Sequence, residues 1–208
     1  MAPPELLNII EESGIRLMDT LNSLLDLAKL RAGIMEINTE VLDIYEECVQ
    51  EASKFKDVAH SKNINLTVSR PESRLFVNSD SHALSRIINN LLSNAVKFTD
   101  EGEIEILFLE KHNTVAMSIR DTGIGIDAQF LPDLFGAFIQ ESDGLSRTHE
   151  GTGLGLAICS GLVSLMNATI RAESTKGEGT TFIVEVPKEE TLIGKRKRIS
   201  NTGFGATA

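Results

Sequence analysis

At 208 residues, with 41% hydrophobic and 24% charged side chains, the chain has the composition of a folded protein with one substantial core and room for an appendage. Thirty acidic against twenty basic residues give a net charge of −10, which excludes a general nucleic-acid binder that neutralises phosphates with Lys and Arg. No apolar run approaches the ~20 residues of a membrane span, and the N-terminus lacks the order of a secretory leader. The chain is therefore expected in the cytoplasm, without membrane insertion, any anchor belonging to other parts of a full-length protein. The basic run "GKRKR" at 194–198 reads as part of a solvated tail. Cys48 and Cys159 read as buried free thiols of a reducing compartment.

Residues 5–31 predict one long helix, opened by Pro3 and Pro4 and ended near Gly33. Leu7, Ile10, Gly14, Leu17, Leu21, Leu24 and Ala28 alternate in steps of three and four, the seam of a helical bundle or coiled coil. A second helix is expected over 44–61 and a strand in "INLTVS" (64–69). After Pro71 comes a helix over 81–97, then two strands of period two, "EIEILFLEK" and "TVAMSIRD", turned by "HNT" into an antiparallel hairpin. A short helix near 128–135, a polar stretch from Gln140 to Glu150, a helix over 152–166 and the strands "ATIRAES" and "GTTFIVEV" follow. Helices and antiparallel strands intermix without a βαβ rhythm, so the fold class is α+β. Three segments are expected: 1–38, 39–188 and a flexible tail, 189–208.

The helix over 81–97 is unusual. "NNLLSNAVKF" puts Leu91, Leu92, Ala95 and Phe98 at core spacing, yet interrupts them with Asn89, Asn90, Asn94 and Lys97. Two glycine clusters also stand out. "DTGIGI" (121–126) ends a strand, and "GTGLGLAI" (151–158) opens a helix, where free N–H groups form an anion site. Neither is a dinucleotide G-x-G-x-x-G or a P-loop. "DTG" also occurs in aspartic proteases, but those need two such aspartates and an all-β fold.

In combination, the Asn helix, hairpin, DTGIGI, "LFGAF", polar loop and GTGLGL helix resemble the ATP-binding domain of sensor histidine kinases, in the superfamily shared with gyrase, Hsp90 and MutL. The resemblance runs from Ile44 to Pro187, and the heptad helix resembles the second helix of that family's dimerisation-and-phosphotransfer hairpin. It implies a two-layer sandwich of a mixed, largely antiparallel sheet and helices. It further implies ATP and Mg²⁺ as cofactors, with Asn94 as the magnesium ligand, Asn90 one turn earlier and Lys97 toward the phosphates. Asp121 would accept from the adenine amine, with Gly123 and Gly125 wrapping the base. Phe135 and Phe138 would anchor a lid over 140–150, although Gly136 and Ala137 stand where the family has Glu-Pro. Arg147 would meet the terminal phosphate, and Gly151, Thr152, Gly153, Leu154 and Gly155 would form the phosphate turn.

The position of Asn90 is where hydrolases of the superfamily carry a glutamate base, and an amide cannot take a proton from water. The implied activity is therefore phosphoryl transfer from Mg-ATP to a histidine. None of His60, His82, His112 or His149 lies in the family's acceptor pattern, so either the acceptor lies on a helix outside this chain or the protein lacks one of its own, and the chain alone is not expected to autophosphorylate. The implied partners are that histidine-bearing helix, a response-regulator receiver domain and a second copy of the full-length protein. The alternatives are an ATP-binding module regulating a partner through lid closure, and the serine-kinase branch, against which the heptad helix argues.

Overall fold

The computed structural model describes residues 4–139 and 152–189. The expected tail beyond Glu189, the basic run, and Arg147, Gly151 and the polar stretch they belong to lie outside the described residues. The chain order is α1 (Pro4–Ala32), β1 (Glu40–Asp43), α2 (Ile44–Ser53), α3 (Lys56–Ser61), β2 (Ile64–Val68), β3 (Phe76–Ser79), α4 (Ser81–Phe98), β4 (Gly102–Glu110), β5 (Thr114–Asp121), α5 (Gly155–Leu165), β6 (Thr169–Thr175) and β7 (Gly179–Pro187).

Five strands form one mixed sheet in the order β2-β4-β5-β7-β6, parallel between β2 and β4 and antiparallel elsewhere. The hairpin expected between β4 and β5 is present, with Ile106 opposite Ile119. Alternation sends Ile104, Ile106, Val115, Met117, Ile119, Phe182, Val184 and Val186 into the core, where they meet Leu84, Ile87, Ile88, Leu91 and Leu92 of α4 and Ile158 and Leu162 of α5. Each such buried aliphatic chain contributes roughly 1.5–3 kcal/mol of transfer free energy. Trp is absent, and Tyr45 packs edge-on against Phe108, ring centres 6.0 Å apart.

Three local features differ from expectation. The helix expected over 44–61 breaks into α2 and α3 at Lys54 and Phe55, where Lys54 turns back to its own helix and pairs with buried Glu51 at 2.6 Å. β1 and β3 form a separate two-stranded ribbon, too short to show a period in the sequence. The helix expected near 128–135 is a single 3-10 turn at Leu131–Asp133.

Among the described side chains, those near the C-terminal end of α1 seat it on the body. Leu27 and Leu30 pack on the core, Asp26 pairs with Arg86 of α4, and the Leu30 methyls lie over Gly161 of α5, where a Cβ would come within 2.8 Å. Ile10, Leu17, Leu21 and Leu24 of the heptad seam face outward, Leu17 at 69% exposure. Both cysteines are buried free thiols, as expected.

Candidate functional site

The Asn-bearing helix, α4, is fixed at both ends by side chains. At its start, Asp80 Oδ1 accepts from the Ala83 N–H at 2.9 Å, while Oδ2 accepts from the Asn38 N–H at 2.7 Å. At its end, Lys62 Nζ donates to the carbonyls of Val96 (2.8 Å) and Thr99 (3.0 Å), placing a cation at the negative end of the helix. The apolar residues bury one face. Asn90, Asn94 and Lys97 fall half-buried on the border of that face, and Asn89 is exposed. The carboxamide of Asn94 has no hydrogen-bond partner among the described residues, so it remains available to a ligand. Lys97 Nζ lies 4.7 Å from the Phe98 ring centre, and burial lowers its pKa.

Asp121 ends β5 with a buried side chain. Its Oδ1 accepts from the N–H groups of Gly123 (2.9 Å) and Thr180 (3.3 Å). Oδ2 has no partner among the described residues, and Asp121 lines an open cleft of about 210 Å³ together with Arg120, Glu173, Ser174 and Thr180, a cleft that Asn90, Asn94 and Lys97 do not line. Burial raises the Asp121 pKa, and the two backbone N–H groups oppose that shift. Ser174 ties the surroundings together: its hydroxyl accepts from the Ile126 N–H (2.8 Å), donates to the Gly179 carbonyl (2.7 Å) and lies 2.9 Å from the Thr180 hydroxyl. Neither Ser174 nor Thr180 was singled out by the sequence. Only the register that sets Asp121 opposite Thr180, and Thr180 opposite Ser174, brings them here.

The loop after Asp121 returns to α4, with Ile124 N–H donating to the Phe98 carbonyl at 3.1 Å. Gly125 is at φ +63, and a Cβ there would lie 2.0 Å from the Thr175 carbonyl oxygen, so no side chain fits. The second glycine cluster precedes α5, which begins at Gly155 rather than at 152. No side chain caps this start; the Leu154 N–H makes only a long bond, 3.4 Å, to Thr152 Oγ1. Its first amides therefore face outward unpaired within the helix. Leu154 is 1% exposed, so its side chain belongs to the core and only its backbone can face a ligand.

Phe135 packs edge-on against Phe182, ring centres 6.5 Å apart. Phe138 is 61% exposed and sits at φ +65, a conformation uncommon for a residue with a Cβ. Its N–H donates to the Gly153 carbonyl at 2.9 Å. The structure thus draws Asn90, Asn94, Lys97, Asp121, Gly123, Gly125, Phe135, Phe138, Thr152, Gly153 and Gly155 into one connected region. The contacts that join them run from α4 to the 121–126 loop, from α4 to α5, and from Phe138 to Gly153.

A mixed five-stranded sheet backed by an amide-bearing helix, with a carboxylate at a strand end and an uncapped glycine-rich helix start, defines a nucleotide-binding ATPase-like domain. Residues 79–190 match the family described as histidine kinase-, DNA gyrase B- and HSP90-like ATPase, and the chain belongs to that family. Among relatives, it is 32% identical over 194 residues to an uncharacterised sensor-like histidine kinase of Rhizobium meliloti (strain 1021), covering 93% of this chain and 37% of that protein. It is 38% identical over 183 residues to hybrid signal transduction histidine kinase L of Dictyostelium discoideum, covering 85% and 11%. It is 32% identical over 183 residues to the sensor histidine kinase RcsC of Escherichia coli (strain K12), covering 88% and 19%. The chain thus spans well under half the length of these relatives. Among solved structures, full-length ShkA in complex with AMPPNP superposes with a TM-score of 0.78 at 29% identity, covering 88% of this chain and 38% of that one. The catalytic domain of the histidine kinase ThkA gives 0.64 at 25% identity, covering 74% and 99%. The fold expectation, α+β with a mixed and largely antiparallel sheet, holds in all these respects.

Proposed function

We propose that this chain is the ATP-binding catalytic part of a sensor histidine kinase, holding Mg-ATP so that its γ-phosphoryl group passes to a histidine on another segment. The observation that carries the reading is Asp121. Two backbone N–H groups hold the buried carboxylate through Oδ1 and leave Oδ2 without a partner among the described residues, an acceptor suited to reading an exocyclic amine. The complex of ShkA with AMPPNP supports the same reading by analogy.

The donor set suits magnesium. Among the described residues no cluster of three His, Cys, Asp or Glu could cage a metal, and Asn94 offers one uncommitted amide oxygen. Mg²⁺ needs little more from protein when phosphates and water complete its shell. Asn94 would hold it, and the ion would offset phosphate charge. Lys97, on the next turn, adds a cation on the phosphate side, and the outward amides at the start of α5 add donors. Arg147 and Gly151 are assigned to the same phosphates. At position 90 an amide replaces a general base, so water is not activated and hydrolysis stays slow. Residues 39–188 form the nucleotide-binding unit and 1–38 part of a dimerisation helix pair. The histidine-bearing helix, a receiver domain and a second copy are its partners in a longer protein.

Titration of the purified chain with Mg-ATP, beside Asn94→Ala, tests the site: the variant is expected to lose binding, and retained affinity would place the site elsewhere. Incubation with γ-labelled ATP and a segment bearing the acceptor histidine tests the chemistry. Acid-labile, base-stable label on that segment supports the kinase. Binding without transfer favours the regulatory ATP-binding module.

A further inference from the structure

Three segments distant in sequence meet at the C-terminal end of α4, and Lys62 joins them. Lys62 closes α3, its N–H donating to the Ala59 carbonyl at 3.1 Å. Asn63, at φ +57, then turns the chain into β2, whose Ile64 pairs with Gly102 at the start of β4. From that turn the half-buried lysine reaches the Val96 carbonyl at 2.8 Å and the Thr99 carbonyl at 3.0 Å, acceptors left over at the end of the helix. Thr99 is fully buried, so bulk water cannot stand in for the lysine at its carbonyl. Among the described residues no carboxylate pairs with the ammonium, whose charge is directed at backbone acceptors instead. Between those two acceptors, the Phe98 carbonyl accepts from the Ile124 N–H at 3.1 Å and so carries the loop after Asp121. A Cβ on Gly123 would lie 2.3 Å from that carbonyl oxygen, and one on Gly102 would lie 2.3 Å from Thr122 Oγ1. Loop and turn therefore touch with no side chain from either glycine between them.

We propose that Lys62 is a positioning residue for the nucleotide. By bracketing the last turn of α4 it sets the spacing between Lys97, which that turn bears, and the 121–126 loop, which hangs from Phe98. Phosphate-side and base-side contacts are then held in register by a side chain assigned to neither. The inference rests on the nucleotide-site reading above, because the spacing matters to function only if helix and loop share a ligand. It differs from a cap that merely stabilises the fold: such a cap shifts overall stability and leaves the affinity of the folded protein alone.

The test combines amide hydrogen exchange on the nucleotide-free chain with Mg-ATP titration well below the melting temperature, for wild type, Lys62→Met and Lys62→Arg. The reporting amides are Thr99, which donates to the Ala95 carbonyl, and Ile124; the controls are Met117 and Val184, paired across β5 and β7. Lys62→Met keeps the apolar stem and removes the donor. It is expected to speed exchange at Thr99 and Ile124 about ten-fold, as for loss of a charged hydrogen bond, with the controls unchanged. Mg-ATP affinity is expected to fall about ten-fold. Lys62→Arg offers donors for both carbonyls and is expected to recover most of the affinity. Unchanged exchange at Thr99 and Ile124 in Lys62→Met, an equal rise at the controls, wild-type affinity, or an arginine variant as weak as the methionine one would each overturn the proposal. If Lys62→Met does not fold, Lys62→Gln, with a shorter and neutral donor, is scored on the same exchange and affinity readings. Wild-type protein that fails to bind Mg-ATP overturns the functional reading and the positioning role together, while exchange at Thr99 and Ile124 still reports whether Lys62 holds the junction.

Discussion

The backbone N–H of Phe138 donates to the carbonyl of Gly153 at 2.9 Å, and both residues hold positive φ, +65 and +67. The chain leaves the "LFGAF" segment and re-enters before α5 through one hydrogen-bonded gate of two left-handed residues. A Cβ on Gly153 would lie 3.0 Å from Phe138 Cα and 3.2 Å from the Ile139 carbonyl oxygen. Gly153→Ala is therefore expected to cost about 1–2 kcal/mol in left-handed strain alone. It should also lower Mg-ATP affinity about ten-fold by opening this junction, read by calorimetric titration.

Asp121 carries a pH signature. Burial raises its carboxyl pKa, and the Gly123 and Thr180 amides pull against that rise. The folded state thus holds this proton more tightly than the unfolded chain, and the associated stability is present at low pH and lost as pH rises through the folded pKa. Asn at this position does not ionise and keeps an acceptor for both amides. Asp121→Asn is therefore expected to match wild type in acid, below the ordinary carboxylate pKa of about 3.9, and to be the more stable protein at pH 7 in denaturant titrations. Its affinity for Mg-ATP is expected to fall roughly ten- to hundred-fold, since an NH₂ donor would meet the amine donor.

Ser174→Ala isolates the support of that carboxylate. The change strands the Ile126 N–H and the Gly179 carbonyl at a half-buried site. A loss of about 1–3 kcal/mol is expected, or a Tm lower by roughly 3–9 °C for a unit of this size. Ser174→Thr keeps the hydroxyl and is expected to recover part of it.

Gly161→Val separates α1 from the body. The Leu30 methyls occupy the space a side chain would need, so the helix must lift, and the Asp26–Arg86 pair must part with it. Faster proteolysis between residues 33 and 39 is the expected readout. Asp26→Asn, which removes only a partly exposed ion pair worth about 0.2–1 kcal/mol, is expected to do so weakly.

Much of this was legible before any coordinates, for physical reasons that particular residues show. α4 could be read because its apolar spacing is strict and its amides have no place in a core. The β4–β5 hairpin could be read because both strands alternate around a three-residue turn. The β1–β3 ribbon was not legible: four residues per strand carry too few alternations to register. Asp121 was found through its neighbour glycines, but Thr180 and Ser174 act on it only through strand pairing across more than fifty residues, which local pattern does not encode. The approach of Asn90 Nδ2 to the Gly155 carbonyl of α5, 3.4 Å away, was equally hidden, because its partner atom belongs to a glycine backbone.

The sheet order β2-β4-β5-β7-β6 has a consequence for the birth of the protein. β5, the central strand of the sheet, pairs on one side with its predecessor β4 and on the other with β7, the latest of the five to be synthesised. Until residues 179–187 emerge, a nascent chain presents β5 as a bare apolar edge, the kind of surface that recruits strands from other chains. Folding of the unit is therefore tied to the completion of β7, and premature termination ahead of it yields a sticky fragment rather than a smaller working domain.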